Sequence, residues 1–108
     1  PADTSIIGNN IHDNSQAGID GVGVQIVGTV EDGSDTDSYT VVVQNNTING
    51  NYAQGVLIEN GGVASPTNTL IGGTYSSQGN LIYSNGQEGV LIRDSGTNDH
   101  LVKGNTIG

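Results

Sequence analysis

One thirteen-residue pattern constrains this chain more tightly than its composition does. Asn46-Thr47-Ile48-Asn49-Gly50-Asn51-Tyr52-Ala53-Gln54-Gly55-Val56-Leu57-Ile58 has the skeleton N-x-I-x-x-N-x-x-x-G-V-x-I, and the skeleton returns without a gap from Asn80 to Ile92. An earlier copy opens at Asn9-Asn10-Ile11-His12-Asp13-Asn14 and reaches Gly23-Val24-Gln25-Ile26 after about five extra residues. A further copy begins at Asn105-Thr106-Ile107. A unit recurring at this spacing within 108 residues defines a repeat architecture. One copy cannot bury its apolar face alone, and stacked neighbours can.

Each copy reads as three short strands separated by corners. In the second copy these are Thr40–Val43, Thr47–Asn49 and Gly55–Glu59. Period-two alternation puts Val41, Val43, Ile48, Val56 and Ile58 on the inner face. Their equivalents are Ile6, Ile11, Val24 and Ile26 before them, then Ile71, Ile82, Val90 and Ile92, then Val102 and Ile107. Equivalent strands in register build parallel sheets with rungs about 4.8 Å apart. The β-branched residues at these positions favour strands over helices.

Composition agrees with a thin, layered interior. The chain has no Phe, Trp, Met or Cys, so disulfides and thiolate metal sites are excluded. Eighteen Gly and thirteen Asn predict many tight corners. The net charge is −9, with Arg93 and Lys103 as the only fixed cations. Nucleic-acid binding needs clustered Lys and Arg, so it is not expected, and neither is an anionic membrane surface. No apolar run reaches spanning length, so membrane insertion is not expected. The chain starts at Pro1 and contains no Met, which reads as a processed product or an excerpt. An acidic, Asn/Gly/Thr-rich, Cys-free chain suits an extracellular or cell-surface setting.

The corners carry a second signal. Asn14, Asn51 and Asn85 share one corner, and Asn9, Asn46, Asn80 and Asn105 share another. A side-chain amide donates and accepts, so inward Asn residues can bond from rung to rung as a structural ladder. The alternative is that each Asn tolerates left-handed backbone at a turn. Departures from the repeat read as loops: Val27–Ser38, Gly61–Thr67, and Gly72–Gly79 (GGTYSSQG) between first and second strands. Ala17–Gly21 is an insertion that leaves two candidate strand starts, Gly18-Ile19 or Gly23-Val24.

The runs NTLIGGTYSSQGNLIYSNGQEGVLIRDSGTNDHLVKGNTIG and NNTINGNYAQGVLIENG resemble the right-handed parallel β-helix repeats of secreted and cell-surface bacterial proteins. That repeat class shares its fold with the pectin-lyase-like enzymes. The resemblance spans essentially the whole chain. It implies an all-β right-handed parallel β-helix, a solenoid of about three coils plus the start of a fourth, as a single segment over residues 1–108. For activity it implies little, because the scaffold serves adhesins, fibres, lyases, epimerases and hydrolases.

Pectin-lyase-like enzymes use carboxylates that hold Ca²⁺ with an Arg or Lys base, or paired Asp residues. Here the outward positions of the third strand stack as Gln25, Leu57, Leu91 and as Val27, Glu59, Arg93. Glu59 and Arg93 are therefore expected as an ion pair between adjacent rungs, not as catalytic groups. No two acids share a face at hydrolytic spacing, so the chain is not expected to be an enzyme. His12 and His100 belong to different strands of different copies, without a third metal ligand. His100 falls in the column of Val41, where it is expected half-buried and hydrogen-bonded. Glu31, Asp32, Asp35 and Asp37 alternate with Ser and Thr in one loop, a candidate oxygen-ligand site for Ca²⁺. The loop fits neither the EF-hand spacing nor the GGxGxD repeat, and a solvated acidic loop is the alternative. Asn45-Asn46-Thr47 matches a glycosylation sequon, discounted because Asn46 belongs to a corner.

Apolar residues also point outward. Val42, Leu70 and Leu101 stack on one outer face, and Leu57 and Leu91 on another. Such stripes mark contact surfaces unless the insertions fold over them. Neither end carries a cap, so further coils of the same chain or stacked copies are expected to cover the sheet edges. The expected function is structural: a stiff extracellular rod or filament module that packs end to end and laterally. The alternatives are a non-catalytic segment of a polysaccharide-binding or polysaccharide-modifying protein, and an adhesin stalk.

Overall fold

The computed structural model describes residues 4–14, 21–27, 41–59, 69–94 and 100–108. The strands are β1 (Thr4–Ile7), β2 (Asn10–His12), β3 (Val24–Val27), β4 (Val41–Gln44), β5 (Thr47–Asn49), β6 (Val56–Glu59), β7 (Thr69–Gly72), β8 (Leu81–Tyr83), β9 (Val90–Ile92), β10 (Leu101–Lys103) and β11 (Thr106–Ile107), with one 3₁₀ turn at Ser76–Gln78. They form three sheets, ordered β1-β4-β7-β10, β2-β5-β8-β11 and β3-β6-β9. All the pairings are parallel. The chain visits the three sheets in the same order each time, and every strand pairs with its equivalent in the neighbouring copy. The described protein is thus all-β with three parallel sheets, an arrangement compatible with a parallel β-solenoid.

Register follows the repeat. Ile6, Val43, Ile71 and Val102 align in the first sheet, and Ile11, Ile48, Ile82 and Ile107 in the second. In the third sheet Val24, Val56 and Val90 align, as do Ile26, Ile58 and Ile92. A one-residue slip would turn every one of these side chains outward, so the apolar face fixes the register. Val43, Ile48, Val56, Ile58, Ile71 and Ile82 are fully buried in one cluster. Burial of each such side chain stabilises by about 1.5–3 kcal/mol. Strand limits sit within a residue of the sequence pattern: β4 runs Val41–Gln44 and β6 begins at Val56 rather than Gly55. The two candidate starts for the first copy's third strand are separated here. Val24 pairs Val56, so Gly23-Val24 is the equivalent of Gly55-Val56.

The repeat glycine has a reason that differs from the one its composition suggests. Gly23, Gly55 and Gly89 are not among the positive-φ residues. A Cβ on Gly55 would instead lie 2.7 Å from the Gly89 carbonyl oxygen, and one on Gly23 would lie 2.6 Å from that of Gly55. The backbones of successive rungs approach too closely there for any side chain. Left-handed backbone falls elsewhere, at Gly8, Gly50 and Gly104, and also at Asp13, Asn45 and Ser84.

Candidate functional site

The corner asparagines form two continuous hydrogen-bonded ladders. At the first corner, Asn9 donates its N–H and Nδ2–H to Asn46 Oδ1 at 2.9 and 3.2 Å. Asn46 does the same to Asn80 Oδ1 at 2.9 and 3.0 Å, and Asn80 to Asn105 Oδ1 at 2.9 and 2.8 Å. At the second corner, Asn14 donates to Asn51 Oδ1, and Asn51 to Asn85 Oδ1. The second Nδ2 hydrogen reaches back one rung: Asn46 to Ile6 O, Asn80 to Val43 O, Asn105 to Ile71 O, Asn51 to Ile11 O and Asn85 to Ile48 O. Asn46, Asn51 and Asn80 are buried at 1–2% exposure. None of the ladder residues has positive φ. They occupy the corners for their amides, since Asn46, Asn51 and Asn80 each bond both neighbouring rungs, and not for turn geometry. Each ladder has a direction: the amide-to-amide bonds all run from one rung to the next, while the second Nδ2 hydrogen is donated to a backbone carbonyl of the rung behind.

The outer faces are less uniform. On the third sheet, Arg93 donates from Nε at 2.9 Å and from Nη2 to Glu59 Oε2, while Gln25 Nε2 donates to Glu59 Oε1 at 2.7 Å. These bonds, Arg93 first, hold the Glu59 carboxyl below the usual carboxylate range. The arrangement is an ion pair linking rungs, flanked by Gln25, whose part the sequence left unassigned. Leu57 shows where outward direction fails to mean exposure. It is only 3% accessible, so it does not extend an exposed stripe. It lies on the central strand with Gln25 and Leu91 on either side in register, whereas Leu91 on β9 is half-buried. On the first sheet Val42 and Leu70 are half-buried and Leu101 exposed.

His12 and His100 are not brought together. His12 faces outward on β2 and pairs with Asp13 at 2.8 Å. His100 lies in the column of Val41 and Thr69, half-buried, with Nδ1 accepting from Thr69 N–H at 3.2 Å. The acidic residues Glu31, Asp32, Asp35 and Asp37 lie outside the described residues. Among the described residues no cluster of three His, Cys, Asp or Glu could hold a metal ion. A buried Gln54 at the second-to-third sheet corner donates to Gln87 Oε1 at 2.7 Å and Glu88 Oε1 at 3.1 Å. It stands just before the repeat's Gly-Val pair, but nothing in the spacing distinguishes it from a solvated corner residue.

The Gly72–Gly79 insertion, which falls among the described residues, borders a groove on the outer face of the first sheet. Its 3₁₀ turn is closed by Gln78 N–H to Tyr75 O at 2.9 Å and by Tyr75 N–H to Gln78 Oε1 at 3.0 Å. Gly73 N–H to Lys103 O at 2.9 Å and Asn45 N–H to Gln78 O at 3.2 Å tie both ends to neighbouring rungs. Leu70 and Leu101, partners in register, border the groove with Thr74, Tyr75, Gln78 and Lys103 around a volume of about 270 Å³. Lys103 Nζ lies 3.5 Å from Thr74 Oγ1. The sequence marks this stretch as an interruption, but its shape depends on bonds that no spacing rule encodes.

Comparison with protein-family models, curated proteins and solved structures finds no match to this chain.

Proposed function

We propose that the chain is a structural module: a segment of a right-handed parallel β-helix, with three coils and the start of a fourth, that acts as a stiff extracellular rod or filament. The similarity of its repeat to secreted bacterial β-helix proteins supports this reading. The observation that carries it is the pair of unbroken Asn ladders running beside fully buried aliphatic columns. Such an interior is filled by side chains that repeat from rung to rung, which favours rigidity. The ladders' single direction favours head-to-tail continuation. A donor end meets an acceptor end whether the next rung belongs to the same polypeptide or to a second copy. The stripe of half-buried Val42 and Leu70 and exposed Leu101 is the surface proposed for lateral packing. No catalysis is proposed, because the outward carboxylate that faces a cation, Glu59, is already bonded by Arg93 and Gln25.

Electron microscopy and sedimentation over a concentration series test the reading. Rods or filaments that lengthen with concentration are the expected outcome. Compact monodisperse particles at every concentration would remove self-assembly from it. A second reading, a polysaccharide-binding segment, draws on the groove beside Tyr75.

A further inference from the structure

We infer that Asn45 is the acceptor of an N-linked oligosaccharide, presented at the corner between the first and second sheets. Of the thirteen asparagines, Asn45 alone is followed two residues on by Ser or Thr, in Asn45-Asn46-Thr47. The glycosylation sequon N-x-S/T carries the sugar on its first residue and is read through its third. The corner duty that counts against this sequon belongs to Asn46, the middle residue, which is not modified. Asn46 is buried at 1% exposure with its amide in the ladder, whereas Asn45 is exposed. Thr47 lies half-buried on the outward face of β5. The turn therefore parts two adjacent asparagines, one inward for the stack and one outward for solvent.

The repeat separates what the fold needs at this position from what the sequon adds. Register makes Gly8, Asn45, Gly79 and Gly104 equivalent, each standing just before a ladder asparagine. Backbone φ is +74° at Gly8, +55° at Asn45 and +72° at Gly104. Glycine takes this left-handed conformation freely, and asparagine only tolerates it. The turn explains why an asparagine is allowed at position 45, yet Gly8 and Gly104 meet the same need. Gly104-Asn105-Thr106 even keeps the threonine, with glycine in the acceptor position. The two halves of the signal coincide in one rung.

Transfer forms a bond between Asn45 Nδ2 and the anomeric carbon of the sugar, and breaks the bond from that carbon to phosphate. The donor is an oligosaccharide carried on a lipid diphosphate. The diphosphate leaves with the bonding electrons, and the amide proton passes to a base of the transferase. Asn45 stands between β4 and β5, both interior strands, so a glycan at this corner leaves the sheet edges clear for further rungs. Only the encounter with donor and transferase rests on the extracellular reading; the exposure of Asn45 does not.

The full chain is led by an added signal peptide into a secretory pathway that holds an N-x-Ser/Thr oligosaccharyltransferase. It is recovered from medium and cells together and mapped by peptide mass. The signal peptide imposes the location, so the outcome reports on Asn45 and leaves the extracellular reading untouched. A glycan is expected on the peptide that holds Asn45, released by a glycoamidase that leaves aspartate in its place. Asn45→Gly, which restores the residue of the other copies, and Thr47→Ala should each abolish it, and Thr47→Ser should keep it. The glycosylated chain should melt within about 4 °C of Asn45→Gly, so that neither the glycan nor its loss reflects unfolding. An Asn45 that carries no sugar, or a glycan that survives Asn45→Gly, would overturn the assignment. So would a glycosylated chain that melts further below Asn45→Gly than this, since the folded corner would then not accommodate the sugar.

Discussion

The two faces of the second sheet obey different rules. Its inner column is Ile11, Ile48, Ile82 and Ile107, one residue type on four strands. The outer columns of the same strands are Asn10, Thr47, Leu81, Thr106 and His12, Asn49, Tyr83, which share almost nothing. Inside this sheet, each isoleucine packs against its own copy one rung away, so shape is held the same along the column. Outside, a side chain meets water or an insertion, and each rung is at liberty to differ. The repeat in the sequence is therefore the signature of the interior, and specificity for any partner has to be sought where the repeat breaks.

Substitutions on the two faces sharpen this contrast, and the largest effect belongs to the core. Ile48→Ala removes a fully buried side chain and should cost about 2–5 kcal/mol in chemical denaturation. Thr47→Ala, one residue away and facing out, should stay within about 0.5 kcal/mol. Comparable losses at both positions would break the comparison. Gly55→Ala comes next. Its added methyl meets the Gly89 carbonyl at 2.7 Å, and overpacking of this kind costs about 1–3 kcal/mol. A neutral Gly55→Ala would mean that the rungs can separate locally.

The smallest effect belongs to the outer ion pair. Glu59 is held below its ordinary range by Arg93 and Gln25, so the folded state favours the carboxylate. Its contribution is present above the unfolded carboxyl value of about 4.3 and is lost as pH falls through the lower folded value. Glu59→Gln should cost about 0.2–1 kcal/mol near neutral pH, less in high salt. The gap between the melting temperatures of the two proteins should close below about pH 4. A gap that persists at acid pH would assign the effect to packing instead of charge.

How much of this was legible follows the same division. The columns of Ile48 and Ile82, the pairing of Glu59 with Arg93 and the place of His100 beside Thr69 all follow from counting along the repeat. Stacking converts sequence period directly into neighbourhood. Leu57 was not legible. Alternation gives the direction of a side chain, and burial depends on what else covers it. The purpose of Gly55 was concealed because one glycine code serves left-handed turns and close backbone approach alike. The groove was hidden for a third reason. Only the bonds among Tyr75, Gln78, Gly73 and Lys103 give the GGTYSSQG stretch its shape. The acidic residues Glu31 to Asp37 and any affinity they have for Ca²⁺ lie outside the described residues, and a melting curve with and without Ca²⁺ addresses them directly.

The most direct measurement is a double-mutant cycle on Asn46 and Asn80, read by urea denaturation. Each single change to Ala should destabilise by about 1–3 kcal/mol, since each removes one partner from a buried amide. If neighbouring rungs are joined through these side chains, the two changes together should depart from additivity by about 0.5–3 kcal/mol. Strict additivity within about 0.3 kcal/mol would show that the corners act one at a time and that the ladder does not bind the stack together.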